Sequence, residues 1–343
     1  MPNEVNAFAP GRVNLIGEHT DYNAGLALPF AISEGVTVRA HEIPGRRVEA
    51  VATNFGEQDS FELDELTRVE GWRAFVRGAA AELQRAGVPL RGTRLRIAGD
   101  LPRGAGLSSS AALEIALTLA LIAVADARRP ELLEHARICS RIENDWVGAR
   151  TGLLDPIASL FGERDRAQLI DFRSLGVQPV ALELGRFRLV TLDSGERHAN
   201  ASSGYNQRRA ECARASELLG VASLREATLD MAAGLAPPEG LRARHVITEN
   251  ARVEEAVAAL GRSDFPALGR LLDASHASLR DCYEISTPAV ERTVDRLHQA
   301  GALGARILGG GFGGHVLGLL PPGARAPAGA LEVRPAPGAR LLD

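Results

Sequence analysis

Lysine is absent from this chain of 343 residues; all 39 basic side chains are arginine. That excludes a Walker-type phosphate loop, which ends in Gly-Lys-Ser/Thr. It also excludes the ATP site of a protein kinase and any lysine Schiff base. Phosphate chemistry here has to run on backbone N–H groups, arginine and metal. Aromatics make up only 4% of the residues against 45% hydrophobic overall, so a sizeable core must be built from Ala, Leu, Val and Ile. The three cysteines, Cys139, Cys212 and Cys282, have neither metal-ligand nor redox spacing. They read as reduced thiols of a cytoplasmic protein. Met1 to Pro10 carries no basic and apolar leader pattern. The longest apolar run, Ala111 to Ala125, is broken by Glu114 and Thr118 and is too short to span a bilayer. A net charge of −4 makes no case for nucleic acid or an anionic membrane as partner.

The patterning that remains is mixed. Strands are expected at Val36–Ala40, Arg47–Thr53, Thr93–Ala98, Ala167–Asp171, Arg188–Asp193, Arg306–Leu308 and Val316–Leu320. Helices are expected at Gly71–Ala86, Ser109–Arg128, Glu131–Val147, Gln207–Leu219, Arg242–Leu260, Phe265–Asp281 and Pro288–Ala300. Pro321 to Gly338 reads as loop. The whole argues for an α+β protein of two domains, 1–180 and 181–343.

Three segments carry chemistry. The first is Leu101-Pro-Arg-Gly-Ala-Gly-Leu-Ser-Ser-Ser-Ala-Ala-Leu-Glu114, a glycine turn leading into an apolar helix. Glycines let backbone approach a ligand closely, and a helix N-terminus offers unpaired N–H groups and partial positive charge to an anion. Taken alone, the segment is equally a Gly-rich turn with serine caps. The second, Gly309-Gly-Gly-Phe-Gly-Gly314, has five glycines in six residues between apolar runs. It suits a tight loop against a ligand or against the first loop, and a sharp turn is compatible with either. The third, Ala9-Pro-Gly-Arg-Val-Asn-Leu-Ile-Gly-Glu-His-Thr-Asp-Tyr-Asn-Ala-Gly25, crowds Arg12, Asn14, Glu18, His19, Asp21 and Asn23 together. A polyol site needs such variety, because each hydroxyl wants both a donor and an acceptor. Metal ligation by Glu18, His19 and Asp21 is disfavoured, because no second His or Cys stands at ligand spacing.

Gly11-Arg-Val-Asn-Leu-Ile-Gly-Glu-His-Thr-Asp-Tyr-Asn23 resembles the galactokinase signature, and Leu101 to Ala112 and Gly309 to Gly314 resemble two motifs of the wider GHMP kinases. The resemblance implies the GHMP kinase fold: an N-terminal domain like the second domain of ribosomal protein S5, a ferredoxin-like C-terminal domain, and an active site between them. It implies ATP and Mg²⁺ as cofactors, and phosphorylation of galactose at its anomeric hydroxyl. By position it implies Asp155 as catalytic base beside Arg12. Glu18, His19, Asp21, Gly152 and Tyr205 would hold the sugar. Gly104, Gly106, Leu107, Ser108, Ser109 and Ser110 would hold the nucleotide phosphates, Trp72 and Phe75 its adenine. Ser110 and Glu143 would take the metal.

Departures from the family pattern are Pro156 in place of Gln after Asp155, a loop at Pro321–Gly329 in place of a helix, His315 after the third motif, and a shorter N-terminus. The rival readings are a kinase for N-acetylgalactosamine, galacturonate or arabinose, and a non-catalytic galactose sensor. Homoserine and mevalonate kinases lack the Gly-Glu-His-Thr-Asp run. His198 and His276 read as surface or packing residues, and the chain as a monomer with a dimer as the alternative.

Overall fold

The computed structural model describes residues 4–102, 106–149, 151–197 and 201–343. The chain runs β1 (Val5–Asn14), β2 (Leu26–Ala27), β3 (Pro29–Glu42), β4 (Arg47–Ala52), β5 (Glu57–Glu62), α1 (Trp72–Arg85), β6 (Thr93–Gly99) and α2 (Ser109–Val124). Then come α3 (Leu132–Arg141), a π-helical turn (Ile142–Val147), α4 (Leu154–Leu160), β7 (Arg166–Asp171), β8 (Gly176–Ala181) and β9 (Arg188–Arg197). The second half holds α5 (Ala201–Leu219), α6 (Leu229–Ala233), α7 (Glu239–Gly261), α8 (Phe265–Asp281) and α9 (Pro288–Gln299). The chain closes with β10 (Gly304–Ile307), β11 (Gly313–Leu320), β12 (Leu331–Val333) and β13 (Arg340–Leu342).

Among the described residues these strands form a six-stranded sheet β13-β1-β3-β6-β4-β5, a four-stranded sheet β10-β11-β9-β12 and a small sheet β2-β7-β8. The α+β expectation holds. Helix α2 is apolar on nearly all sides, and such a helix must be buried. It lies across the first sheet, and Ala112, Ile115, Leu119 and Ile122 join Val38, Leu95 and Leu83 in one core. The second sheet packs on α5, α7 and α9 through Val190, Ala215, Val246 and Leu297. A third cluster joins the halves: Val13, Leu15 and Phe30 meet Val253, Leu268 and Leu317. The last strand, β13, does not stay with the second half but pairs with β1.

The capped helices keep close to their expected bounds. Asp264 accepts from the Ala267 amide to start α8, and Thr287 accepts from Val290 to start α9, with Pro288 in its first turn. Other elements depart from expectation, α5 starting at Ala201 rather than Gln207 and α4, β5 and β8 having no counterpart in the sequence pattern. The run expected to be a helix to Val147 turns π-helical after Arg141, where the amides of Gly148 and Ala149 both donate to the Glu143 carbonyl (2.9 and 3.1 Å). Strand β1 lies where no strand was expected, because its period-2 pattern is interrupted at Pro10-Gly11, where the register with β3 also shifts. Pro321–Gly338 is loop except for the short β12.

Candidate active site

Where the two halves meet, a cavity of about 400 Å³ is lined by Arg12, Glu18, His19, Asp21, Gly152, Asp155 and Tyr205, with Gly309 to Gly311 on one wall. All the residues expected for catalysis and sugar contact thus converge, although they come from separate stretches of chain.

The bulge in β1 aims Arg12 into this space. Gly11 makes the bulge possible, since a Cβ there would come within 2.5 Å of the Leu107 carbonyl and 2.7 Å of Leu101. The Arg12 amide donates to that same carbonyl (3.1 Å), so β1 is pinned to the segment preceding α2. The Arg12 guanidinium is buried. Its Nε and Nη2 lie 2.8 and 2.6 Å from Asp155 Oδ1, and Nη1 donates to the Gly106 carbonyl (2.5 Å). Ser108 Oγ donates to Asp155 Oδ2 (2.5 Å). Ser108 adopts a left-handed conformation (φ 59°, ψ 47°), uncommon for a non-glycine residue. Asp155 sits in the first turn of α4. Pro156 after it forfeits no helical bond, because the amides of a first turn have no intrahelical acceptor.

Across the cavity, Asp21 and His19 stand in a short turn. A Cβ on Gly152 would overlap Asp21 Oδ2, so glycine is what lets this carboxylate reach the cavity floor. Desolvation, with a contribution from Asp155, pushes the Asp21 carboxyl up to about 6, against the opposing Tyr22 amide and Arg209. Burial, with His245, Arg208 and Arg306 nearby, drives His19 down to about 3, so its ring is neutral at physiological pH. His19 Nδ1 lies 2.8 Å from Tyr22 Oη, and the Tyr205 and Tyr283 ring centroids are 5.4 and 4.7 Å from its own. His19 Nε2 is buried without a protein partner. Glu18 Oε1 accepts from the Gly309 amide (2.8 Å) and lies 3.1 Å from Arg306 Nη2.

The two glycine loops meet. A Cβ on Gly106 would lie 3.7 Å from the Leu308 carbonyl, and one on Gly309 would lie 3.7 Å from that of Gly106. Helix α2 presents its N-terminus beside them, with Ser109 exposed and Ser110 half-exposed. The Leu107 side chain is buried in the core, so only its backbone faces this region. Gly104 lies outside the described residues. Trp72 and Phe75 pack half-buried against the first core and do not line the cavity; the Trp72 indole donates to Glu57 (2.9 Å).

Glu143 is buried on the π-helical turn and accepts from Thr151 Oγ1 (2.6 Å). Burial and the neighbouring Asp155 raise its carboxyl, against the hydroxyls of Thr151 and Ser110 that hydrogen-bond to it. A hydroxyl and a buried carboxylate short of positive charge fit a hard divalent cation that keeps several of its waters. A third carboxyl lies close by. Glu114, one turn beyond Ser110, is fully buried with no partner for either oxygen, and burial and Glu143 hold it well above the carboxylate range.

Residues 2–41 match the galactokinase galactose-binding signature, 74–163 the GHMP kinases N terminal domain and 256–338 the GHMP kinases C terminal domain. The chain is 46% identical over 324 residues to a galactokinase of Mycobacterium tuberculosis, covering 92% of this chain and 89% of that one. The chain belongs to the galactokinase family. A galactokinase of Thermotoga petrophila is 40% identical over 318 residues, with 92% of this chain and 89% of that one covered. The structure of the Lactococcus lactis galactokinase complexed with galactose superimposes with a TM-score of 0.93 at 32% identity, over 99% of this chain and 95% of that one. The expected GHMP kinase fold is therefore the fold of this chain. Methanococcus jannaschii mevalonate kinase, at 17% identity and a TM-score of 0.72, shares that fold.

Galactokinase motifs drew attention to the cavity wall but not to what stands behind it. Tyr22 and Glu114 lie inside the quoted motifs but carried no role there, and Arg306, Glu249 and Tyr283 carried no readable signal, because an isolated polar residue beside apolar ones looks like any packing residue. His276 does pack: it is buried, with Nε2 3.1 Å from Glu291 Oε1.

Proposed function

We propose that this galactokinase transfers the γ-phosphoryl group of ATP to the C1 hydroxyl of galactose. The observation that carries the reading is the Arg12–Asp155 ion pair. It faces the polyol-type wall of Glu18, His19, Asp21 and Tyr205 on one side and the N-terminus of α2 on the other.

Asp155 accepts the proton of the attacking hydroxyl or orients it in line. Asp155 Oδ1 already takes two contacts from Arg12, whereas Oδ2 accepts one from Ser108 and keeps a second lone pair for the sugar. Arg12 keeps the carboxylate oriented and sets positive charge where negative charge builds in the transition state. The backbone amides from Gly104 to Ser110 supply the phosphate cradle that lysine supplies elsewhere. Ser110 and Glu143 would hold Mg²⁺, which when bound neutralises phosphate charge. On the sugar, Asp21 and Tyr205 favour an axial hydroxyl. A sugar lacking it leaves buried polar groups unmet, at about 1–3 kcal/mol each. Trp72 and Phe75 flank the adenine. We also read the enzyme as a cytoplasmic monomer with a domain boundary near residue 180. Among the described residues, no helix is long and apolar enough to cross a membrane.

The test is an ATP-consumption assay with galactose, galactosamine, N-acetylgalactosamine, galacturonate, arabinose, glucose and mevalonate, with the product identified by phosphorus NMR. Galactose 1-phosphate as the main product supports the reading. Binding of galactose and ATP without turnover would instead indicate a sensor.

A further inference from the structure

Arg306 is fully buried on β10, far in sequence from the sugar signature. A buried guanidinium loses its hydration and needs compensation from the protein. Its Nη1 donates to the carbonyls of Asn14 (2.7 Å) and Leu15 (3.1 Å), where β1 ends and the sugar turn begins. Its Nη2 is 3.1 Å from Glu18 Oε1, an ion contact rather than an aligned hydrogen bond. The other buried carboxylate in this neighbourhood, Glu249, already has Arg252 at 2.7 Å, Ser275 Oγ at 2.7 Å and the Gly17 amide at 3.0 Å. Glu18 is therefore the carboxylate in direct contact with Arg306, which acts on Glu249 only through space.

The same Glu18 oxygen accepts from the Gly309 amide, three residues beyond Arg306. One strand end thus grips both the carboxylate and the backbone leading to it. Glu18 lines the cavity, so its orientation there is set by β10 rather than by its own turn.

We propose that Arg306 is a positioning residue for sugar recognition, holding the Glu18 carboxylate in the cavity from the opposite half of the molecule. This rests on the galactose reading above. The guanidinium fork supplies two carbonyl bonds and one carboxylate contact together, which a lysine ammonium on a single stem does not match.

The experiment is a double-mutant cycle on galactose affinity, by calorimetry on the full chain, with Arg306→Met, Glu18→Gln and the pair. Arg306→Met should weaken galactose by about tenfold or more while a non-hydrolysable ATP analogue binds within about twofold of wild type. The double variant should bind galactose no more weakly than Glu18→Gln alone. Losses that multiply, unchanged galactose affinity in Arg306→Met, or an equal loss of nucleotide affinity would each overturn the proposal. If Arg306→Met does not fold, Arg306→Lys completes the same cycle, with a smaller loss that should likewise vanish in the Glu18→Gln background. Wild-type protein that binds no galactose would sink the functional reading and this proposal with it. Wild-type binding with multiplicative losses sinks only the role of Arg306.

Discussion

Ser108 Oγ donates to Asp155 Oδ2 at 2.5 Å from a left-handed backbone conformation. The residue that starts α2 is thereby tied to a carboxylate that lines the cavity. On the proposed reading the sites of the two substrates share this contact, and a shift of α2 would move Asp155 as well.

That tie can be separated from the backbone strain. Ser108→Gly removes the hydroxyl and relieves the left-handed conformation. Ser108→Ala removes the hydroxyl and keeps the Cβ, at about 1–2 kcal/mol of residual strain. Both should lower kcat by a similar factor, about tenfold, with only the alanine variant melting earlier. A kcat that tracks stability instead would show that the bond matters only for folding.

Asp155→Asn should lower kcat by about 10²–10⁴-fold and leave the galactose dissociation constant within a few-fold of wild type. Single-turnover kinetics beside calorimetry checks both halves. Near-normal turnover would remove Asp155 from its proposed role.

Asp21 sets an acid limb. Its carboxyl titrates at about 6 in the folded protein against 3.8 ordinarily. Above about 6 it is ionised and, on the proposed reading, accepts from the sugar; below that it is protonated and this acceptor is lost. The kcat/KM for galactose should therefore fall as pH drops through about 6, since this ratio reports the free enzyme. The sign for stability is opposite. A raised carboxyl contributes stability that is full below 3.8 and is lost as pH rises through about 6. Both effects should disappear in Asp21→Asn; an acid limb that persists there belongs to another group.

Gly152→Ala should raise KM for galactose by about ten- to a hundredfold with a nearly unchanged melting temperature, because the added methyl overlaps Asp21 Oδ2 and nothing in the core. Unaltered KM would mean that Asp21 is free to move aside.

Glu114→Met should raise stability by about 1–2 kcal/mol, since a buried carboxyl without a partner is replaced by an apolar chain of similar shape. Denaturant unfolding measures it. A gain in stability with lower activity would mark the burial of Glu114 as a cost carried for function; lower stability would reveal a partner for its oxygens.

Local order was readable wherever it depends on local chemistry. Phe265–Asp281 is a helix with the bounds its pattern indicates, because Asp264 caps it and the apolar positions recur at helical spacing. The π-helical turn at Glu143 was not readable, since it depends on the Glu143 carbonyl taking the amides of both Gly148 and Ala149. Nor was β1, in which Ala9 to Asn14 are all buried and the pattern breaks at Pro10-Gly11, which erases the alternation that marks a half-exposed strand.

The sequence by itself determined the chemistry on offer: no lysine, two glycine loops, one polyol-type cluster, and an aspartate and a glutamate in matching positions. Their order along the chain is enough to name the family, because such motifs work through backbone conformation and residue type that neighbours dictate. Only the tertiary structure decided which groups face each other. Arg12 meets Asp155 across 143 positions, and Gly309 meets Glu18 across 291. Those pairings come from strands and helices packing over a shared core, which brings distant residues within ångströms, and no local pattern encodes that distance.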